Sequence, residues 1–324
     1  MSISQHSNGS GASGTNSTAS TVPQPAMRSA TSVDEQSGPS PAALTIPPAA
    51  NTPLRVIITG TTGMVGEGVL HECLQHPAVE AVLILNRKPL GLTHPKLREI
   101  VHPDFYNLAL VESQLSGYNA CFFCLGVSSV GMPAEEYYRV TYTLTMQVAA
   151  TLSRLNPVPA APAGHLASAA SSVSAAHDAS NSVAPPASAA SVVPGNMVFA
   201  YVSGAGTDST EKGRSRWARV KGKTENDLML LPFRRVYAFR PGFIKPIKGL
   251  RNAHAFYKYI NWMFPLGRAL YPAGFATLSE IGLAMIHLAL HCDGDAIVSG
   301  KDIIRYAAAE AADLSAPTAG ASTL

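Results

Sequence analysis

The chain has 324 residues and a formal net charge of only +3, from 24 Lys and Arg against 21 Asp and Glu. A charge this small does not by itself indicate a nucleic-acid-binding protein. No stretch offers about eighteen uninterrupted apolar residues, so we expect no membrane-spanning helix. The four cysteines are too few to suggest the disulfide framework of a secreted protein.

Three segments are not expected to belong to the folded core. Residues 1–53 are rich in Ser, Thr, Gly, Ala and Pro, and they contain too few large apolar side chains to offset the entropy lost on folding. We predict that they form a disordered low-complexity tail. Residues 157–195 have a similar composition and are predicted to be a disordered insertion, and residues 311–324 a flexible tail. The folded domain is therefore predicted to span residues 54–310.

Within this domain, short apolar runs alternate with longer helical patterns. The runs predict strands over Arg55–Thr59, Ala81–Leu85, Arg98–Val101, Ala120–Leu125, Met197–Ser203 and Arg235–Arg240. The patterns predict helices over Met64–Gln75, Ala134–Leu155, Arg214–Leu231 and Leu278–His291. Such alternation predicts an α/β fold with a Rossmann-type, doubly wound parallel sheet, followed by a small C-terminal substrate-binding extension. Ligands are then expected outside the carboxyl ends of the strands.

A glycine-rich turn connects the first predicted strand to the first predicted helix. Gly60, Gly63 and Gly66 follow the apolar run directly, in the order G-x-x-G-x-x-G. Gly60 is expected to let the chain turn sharply, Gly63 to let the backbone approach a pyrophosphate, and Gly66 to let the helix pack closely on the sheet. The N–H groups and the dipole of the helix then favour the phosphates. This context predicts a dinucleotide site, whereas an ordinary turn in a non-binding α/β domain is the alternative.

The residues after the second predicted strand bear on the choice of dinucleotide. An NAD site is expected to place an acidic residue there, against the ribose hydroxyls. This chain has Asn86, Arg87 and Lys88 instead. Because an arginine forms a planar two-bond contact with phosphate, these residues favour NADP(H) over NAD(H). A solvated basic loop is the alternative.

Other chemically notable residues are given structural interpretations. Cys121 and Cys124 lie three apart on a predicted strand, so they point to opposite faces and are expected to be buried thiols, not a redox pair. A basic stretch around Trp217 has too few aromatic side chains for nucleic-acid binding, and we interpret it as a solvated helix face. No cluster of metal ligands is apparent. His254 and His291 have no visible partner, so neither is assigned a catalytic role.

Five short landmarks occur in an order that resembles one family. They are Thr59–Gly66, Cys124-Leu125-Gly126, Tyr201-Val202-Ser203, Val220-Lys221-Gly222 and Arg240-Pro241-Gly242-Phe243. On these residues the chain resembles the atypical short-chain dehydrogenase/reductases, in the NAD-dependent epimerase/dehydratase-like branch. It is similar in particular to the small reductases that resemble the human Tat-interacting protein and its fungal mitochondrial relatives. The resemblance covers essentially the whole predicted domain.

The resemblance implies roles for particular residues. The residues implied to bind the cofactor are Gly60, Thr61, Thr62, Gly63, Met64, Val65, Gly66, Asn86, Arg87, Lys88, Gly126, Lys221, Pro241, Gly242 and Phe243. Ser203 matches the serine that hydrogen-bonds the substrate, and Lys221 matches the lysine that binds the nicotinamide ribose. The family's catalytic tyrosine lies four residues before that lysine, and this chain has Trp217 there. Because an indole N–H does not titrate near neutral pH, the usual acid/base group is missing.

Two functions from different classes are open at this point. The first is an NADP-dependent oxidoreductase with another proton donor, for which water, Ser203, a substrate group or Tyr201 are candidates. Tyr201 shares a strand face with Ser203, although core packing is the simpler role for it. The second is a cofactor-binding scaffold or redox-sensing regulator with weak or no activity, in which Trp217 stacks on the nicotinamide or fills the substrate pocket.

The segment 243–275 is implied to form the substrate lid. It is aromatic and basic, which indicates a small apolar substrate, although core packing and a peripheral membrane contact are alternatives. The first residues lack the apolar core of a signal peptide and are a poor match to an Arg-rich transit peptide, so a cytoplasmic location is expected. The surface of the mitochondrial outer membrane is the alternative.

Overall fold

The computed structural model describes residues 52–157, 196–245, 263–271 and 274–316. The predicted N-terminal tail up to residue 51 and the predicted insertion from residue 158 lie outside these ranges. The middle of the predicted lid, residues 246–262, and His254 within it also lie outside them.

Seven strands form one parallel sheet in the order β3-β2-β1-β4-β5-β6-β9, and two short strands, β7 and β8, form a second parallel pair. Their bounds are β1 Leu54–Thr59, β2 Val79–Asn86, β3 Leu97–Val101, β4 Ala120–Phe123, β5 Val198–Val202, β6 Arg235–Arg240, β7 Phe243–Lys245, β8 Phe275–Thr277 and β9 Ile297–Ser299. All neighbouring strands of the large sheet run parallel. The predicted doubly wound parallel sheet is confirmed.

The helices of the described ranges cover both faces of this sheet. Their bounds are α1 Met64–Gln75, α2 Glu112–Leu115, α3 Ala134–Tyr138, α4 Leu144–Leu155, α5 Arg216–Leu228, α6 Met263–Leu270, α7 Leu278–His291 and α8 Gly300–Ser315. A π-helical turn, Arg139–Thr143, joins α3 to α4. The predicted helix Ala134–Leu155 is therefore one run with a π-turn inside it. No helix in the described part of the chain is long and apolar enough to cross a membrane.

The strands are buried on both faces, which explains why their sequences are continuous apolar runs. In β1, Ile58 belongs to a core cluster that includes residues of α1, α7 and α8. Its neighbour Ile57 points the other way, into a cluster that includes residues of α2 and α4. Strand order reverses between β1 and β4, and at such a point the loops diverge and leave a crevice at the carboxyl edge.

Five C-terminal elements, β7, α6, β8, β9 and α8, were not predicted, and the start of the C-terminal tail was placed too early. Strand β9 has only three residues, too short for a periodic signal. Helix α8 starts at a capping box in which Ser299 and Asp302 each accept a hydrogen bond from the other's backbone N–H. It continues to Ser315, so the predicted flexible tail from residue 311 begins as helix, because Ile303, Tyr306 and Ala307 hold α8 against the core.

The expectation that His291 has no partner was wrong. Helix α7 packs against α8 and places the His291 Nε2 atom 3.9 Å from carboxylate oxygens of both Glu310 and Asp313. The sequence could not show this, because the partners lie on a helix that was not predicted.

A buried ion pair fixes the end of β6 against α5. The Arg240 Nε atom donates to Glu225 Oε1 at 3.1 Å, and its Nη2 atom donates to Glu225 Oε2. The Glu225 side chain is fully buried, while 19% of the Arg240 side chain is exposed. Removing one partner of a buried pair leaves the other charge uncompensated, which is costly.

We therefore expect Glu225→Ala to lower the free energy of unfolding by about 3–5 kcal/mol, measured by urea denaturation. Glu112→Ala is the matched control, because Glu112 pairs with an Arg154 side chain that is 61% exposed. The control is expected to cost at most about 1 kcal/mol. Similar losses in the two variants would contradict this account of the pair.

Candidate functional site

The glycine turn brings the carboxyl ends of β1 and β4 together. Gly60 has a φ of +75°, in the left-handed region that favours glycine. A Cβ atom at Gly60 would lie 2.6 Å from the Leu125 backbone N atom. Any larger residue would therefore push the turn away from the loop after β4. The predicted sharp turn at Gly60 is observed, and it also permits this backbone contact.

Gly66 has a different packing role from the one predicted. A Cβ atom there would lie 2.2 Å from the Gly60 carbonyl oxygen, so α1 packs against its own turn at this point, where contact with the sheet was expected. Gly63 is the N-cap of α1, and no side chain caps that end of the helix. The N-cap residue therefore supplies no side-chain acceptor to the first N–H groups of α1, which suits an anion site.

A buried hydrogen-bond chain holds the turn to the neighbouring strands. Thr61 Oγ1 donates to Asn86 Oδ1 at 2.8 Å, and Asn86 Nδ2 donates to Glu99 Oε1 at 3.0 Å. Glu99 Oε1 also accepts from the Leu90 N–H at 2.8 Å. Thr61 and Asn86 were predicted to contact the cofactor, but their side chains are engaged with each other. They position the turn relative to β2.

The turn and two loops surround a cavity of about 460 Å³. Its lining contains seven residues of the predicted cofactor set: Gly60, Thr62, Gly63, Asn86, Arg87, Lys88 and Gly126. It also contains five residues that were not predicted: Leu85, Phe105, Cys124, Leu125 and Val127. Leu85, Cys124, Leu125 and Val127 are chain neighbours of predicted residues, whereas no sequence signal points to Phe105. Thr61, Met64, Val65 and Gly66 do not line the cavity.

Two cations stand at the mouth of this cavity. Arg87 and Lys88 follow β2 directly, and both are exposed. No ion pair involves either residue within the described ranges. Their charges are thus available to an anionic ligand, in contrast to the neutral amide of Asn86 beside them.

Ser203, Lys221 and Trp217 lie around the loop after β5. Lys221 Nζ donates to the Ser203 carbonyl oxygen. The Ser203 hydroxyl is buried and donates to the Phe239 carbonyl at 3.1 Å. The Trp217 ring lies beside Gly206, where a Cβ atom would be 3.4 Å from its Cη2 atom. Burial lowers the pKa of Lys221 to about 8, although the Glu225 carboxylate opposes the shift.

The close packing of Gly222 sets the position of Lys221. A Cβ atom at Gly222 would lie 1.8 Å from the Asp208 carbonyl oxygen, so α5 can lie against this loop only with glycine there. Gly222 directly follows Lys221 in α5, so this close contact also holds Lys221 next to Ser203.

Tyr201 is not available as a proton donor at the surface of the site. Its side chain is among the largest fully buried ones and packs on Phe123, with ring centroids 6.1 Å apart. Burial raises the pKa of Tyr201 well above its ordinary value. The core-packing interpretation is therefore the one that the structure supports.

Three cations of the basic stretch bond to neighbouring groups. Arg216 Nη2 donates to the Met132 carbonyl at 2.8 Å and so ties α5 to the loop after β4. Arg219 Nη1 donates to the Gly213 carbonyl at 2.6 Å. Lys223 pairs with Asp227 at 2.9 Å. Lys212 and Arg214 in the same stretch are exposed, which is consistent with the predicted solvated face.

The expectation of a buried thiol is met at Cys121, whereas Cys124 is only partly buried and lines the first cavity. All four are free thiols, and Cys121 is fully buried. Burial raises the pKa of Cys124 to about 12, so its thiol is unreactive at neutral pH.

A second cavity, of about 450 Å³, lies beyond β6. Its lining combines the loop after β5 with the C-terminal extension and comprises Ala205, Gly206, Arg240, Gly242, Tyr271, Gly274, Phe275, Ser299, Gly300 and Lys301. Of the predicted cofactor residues Pro241, Gly242 and Phe243, only Gly242 lines it. Phe243 packs on Phe264 and Phe275, so these aromatic residues of the predicted lid form a small core.

Comparison with known proteins gives one sequence relative and several structural ones. No protein-family model matches the chain. The mitochondrial protein fmp52-1 of Aspergillus oryzae is 26% identical over 200 residues, which cover 60% of this chain and 66% of the fungal protein. The matched part is thus just under two thirds of that protein's length.

Two solved structures with bound NAD illustrate the structural likeness. MoeE5 in complex with UDP-glucose and NAD has a TM-score of 0.48 and 16% identity, over 79% of this chain and 81% of its own. WbmG of Bordetella bronchiseptica in complex with NAD has a TM-score of 0.48 and 14% identity, over 83% of this chain and 80% of its own. Because both TM-scores are below 0.5, the fold assignment is based on the strand order of the parallel sheet and not on these two structures. The chain is a doubly wound, Rossmann-type α/β protein with sequence similarity to a fungal mitochondrial protein.

Proposed function

We propose that the protein is an NADP(H)-dependent oxidoreductase of the atypical short-chain dehydrogenase/reductase type, acting on a small apolar carbonyl compound. The observation that carries this proposal is the cavity at the reversal of strand order, where the glycine turn meets Arg87 and Lys88. Such a crevice is the usual ligand site of doubly wound sheets. The sequence similarity to the fungal protein is consistent with the same family.

The described residues fit a dinucleotide phosphate. The uncapped N-terminus of α1 offers backbone N–H groups to the pyrophosphate, and the absence of side chains at Gly60 and Gly63 leaves it room. Arg87 and Lys88 would hold a 2′-phosphate through charge-assisted hydrogen bonds. No carboxylate lines this cavity among the described residues, so nothing there repels the phosphate.

A bound nicotinamide would supply the hydride for carbonyl reduction, and the chain must then supply the proton. Trp217 cannot do so, because its N–H does not titrate usefully. Lys221 is the group that we assign to this step, since its pKa of about 8 lies near neutral pH and its Nζ atom is beside Ser203. In this assignment the ammonium gives its proton to the carbonyl oxygen as the alcohol forms.

We place the substrate in the second cavity, next to Gly206 and Trp217. Tyr271 and Phe275 provide aromatic surface there, which suits an apolar compound. The fungal relative is called mitochondrial, and this favours the mitochondrial alternative over the cytoplasmic one.

A second function is favoured by one residue. With Trp217 in place of the tyrosine, the protein is a candidate cofactor-binding regulator in which the indole fills the substrate side. Tight binding of NADPH with no turnover across a panel of apolar aldehydes, ketones and quinones would favour this function.

The first prediction concerns the cofactor. NADPH should bind more tightly than NADH, and Arg87→Asp should weaken NADPH binding by about 10- to 100-fold, because it replaces a phosphate partner with a repelling charge. The measurement is a fluorescence titration with each nucleotide. Arg98→Asp is the control, because Arg98 is an exposed arginine on β3 that bonds Gln114 and does not line the cavity. Equal affinities for NADPH and NADH in the unmodified protein would contradict the assignment.

The second prediction concerns the proton donor. Carbonyl reduction should be fastest below about pH 8. It should fall as the pH rises through about 8, because Lys221 then loses the proton that it donates. Lys221→Arg should keep NADPH binding within about tenfold but lose turnover by about 100-fold or more, because arginine stays charged and cannot give up a proton. Lys221→Ala should lose both.

These variants are compared by NADPH titration and by initial rates measured at about one-unit intervals from roughly pH 6 to 10. Retention of wild-type turnover in Lys221→Arg would exclude Lys221 as the donor.

The third prediction concerns Trp217. Because Lys221 is assigned as the native proton donor, Trp217→Tyr should leave turnover of the native substrate similar or lower, although it places a phenol one helical turn from Lys221. Trp217→Phe is the control, because it removes the indole without adding a hydroxyl. A rise in turnover in Trp217→Tyr but not in Trp217→Phe would contradict the assignment of Lys221 as the proton donor.

A further inference from the structure

A second polar cluster lies at the opposite edge of the sheet from the dinucleotide cavity. It consists of His287 and His291 on α7 together with Glu310 and Asp313 on α8. One ligand atom of each residue lies within 4.8 Å of the corresponding atoms of the other three. Helix α7 ends at His291, shortly before β9 begins at Ile297, so the cluster is at the amino edge of the parallel strands.

The spacing within each helix puts both ligands of a pair on one face. His287 and His291 are four residues apart, and Glu310 and Asp313 are three apart, which in a helix are neighbouring surface positions. The contacts join the two helices. His287 Nδ1 lies 2.9 Å from Glu310 Oε2, and His291 Nε2 lies 3.9 Å from both Glu310 Oε2 and Asp313 Oδ2.

Outer contacts orient the two buried members. His76 Nε2, just after α1, lies 3.0 Å from Glu310 Oε1 and leaves Oε2 turned toward the two histidines of α7. The His287 ring stacks on Tyr306, with centroids 5.5 Å apart, and its Nε2 atom lies 3.9 Å from Asp293 Oδ2. Metal-binding histidines and carboxylates are typically held by such second contacts.

We propose that His287, His291, Glu310 and Asp313 form a binding site for a divalent transition metal ion, with Zn²⁺ as the best match. Two imidazoles and two carboxylates are a donor set that zinc accepts in four-coordinate sites. The two carboxylate charges also balance those of the ion. No metal site was predicted from the sequence, because the ligands come from two helices and only α7 was predicted.

The geometry needs only a small adjustment to close around the ion. Donor atoms about 2.1 Å from a tetrahedral zinc are about 3.4 Å apart. The widest separation, 4.8 Å, must therefore shrink by about 1.4 Å. His291 and Asp313 can make this movement, because 46% and 63% of their side chains are exposed. They also open the site to solvent, while His287 and Glu310 stay buried.

Four protein ligands fill the coordination of zinc, so the site acts as a clamp between α7 and α8 and performs no reaction. The clamp does not depend on the proposed oxidoreductase function. None of its four residues lines the dinucleotide cavity.

The experiment uses the full chain without a polyhistidine tag, stripped with EDTA and then freed of chelator. Titration calorimetry with ZnCl₂ should show one equivalent bound with micromolar or tighter affinity. His291→Ala and Asp313→Ala should each weaken this binding by about 100-fold. His71→Ala is the matched control, because 45% of its side chain is exposed and it lies outside the cluster.

Thermal unfolding gives an independent readout. At a hundredfold excess over its Kd, Zn²⁺ should raise the melting temperature of the unmodified protein by about 5–10 °C and that of His71→Ala equally. His291→Ala should show little shift. The proposal is overturned if the unmodified protein binds Zn²⁺ no more tightly than about 100 µM, or if His291→Ala and His71→Ala bind it equally well.

Discussion

The candidate site depends on one close backbone contact, between the glycine turn after β1 and the loop after β4. At Gly60 there is no room for even a Cβ atom, which would lie 2.6 Å from the Leu125 backbone N atom. At Gly66 the start of α1 reaches the Gly60 carbonyl in the same way. Because these contacts involve backbone on both sides, they cannot be relieved by a rotamer change. They bring the N-terminus of α1 to the crevice where the strand order reverses.

The cations around this crevice fall into two groups with different roles. Arg240, Arg216 and Lys221 are committed to Glu225, to loop carbonyls and to the Ser203 carbonyl. They hold β6, α5 and the loop after β5 in place. Arg87 and Lys88 are exposed at the cavity mouth. Because Arg87 and Lys88 are exposed, they can select a ligand by its charge.

The parts that sequence reasoning predicted well are those with local causes. The central strands are long apolar runs because both faces of the sheet are covered, and Ile57 and Ile58 show this with opposite faces. The glycine turn was recognisable because its spacing follows a strand directly. Strand β9 has three residues and carries no periodic signal, so it was missed, and the helix that follows it was not predicted either. Their absence hid the partners of His287 and His291.

The sequence by itself determined the doubly wound sheet, the turn at Gly60 and the basic residues that follow β2. These features depend on the period of apolar residues and on steric demands within a few positions of the chain. Only the tertiary structure decided which polar groups are free. The side chains of Thr61 and Asn86 form a hydrogen bond with each other, and Tyr201 is fully buried in the core. Phe105, from a loop distant in sequence, lines the cavity. The availability of a side chain depends on what packs against it, and the packing partners come from segments far apart in the chain.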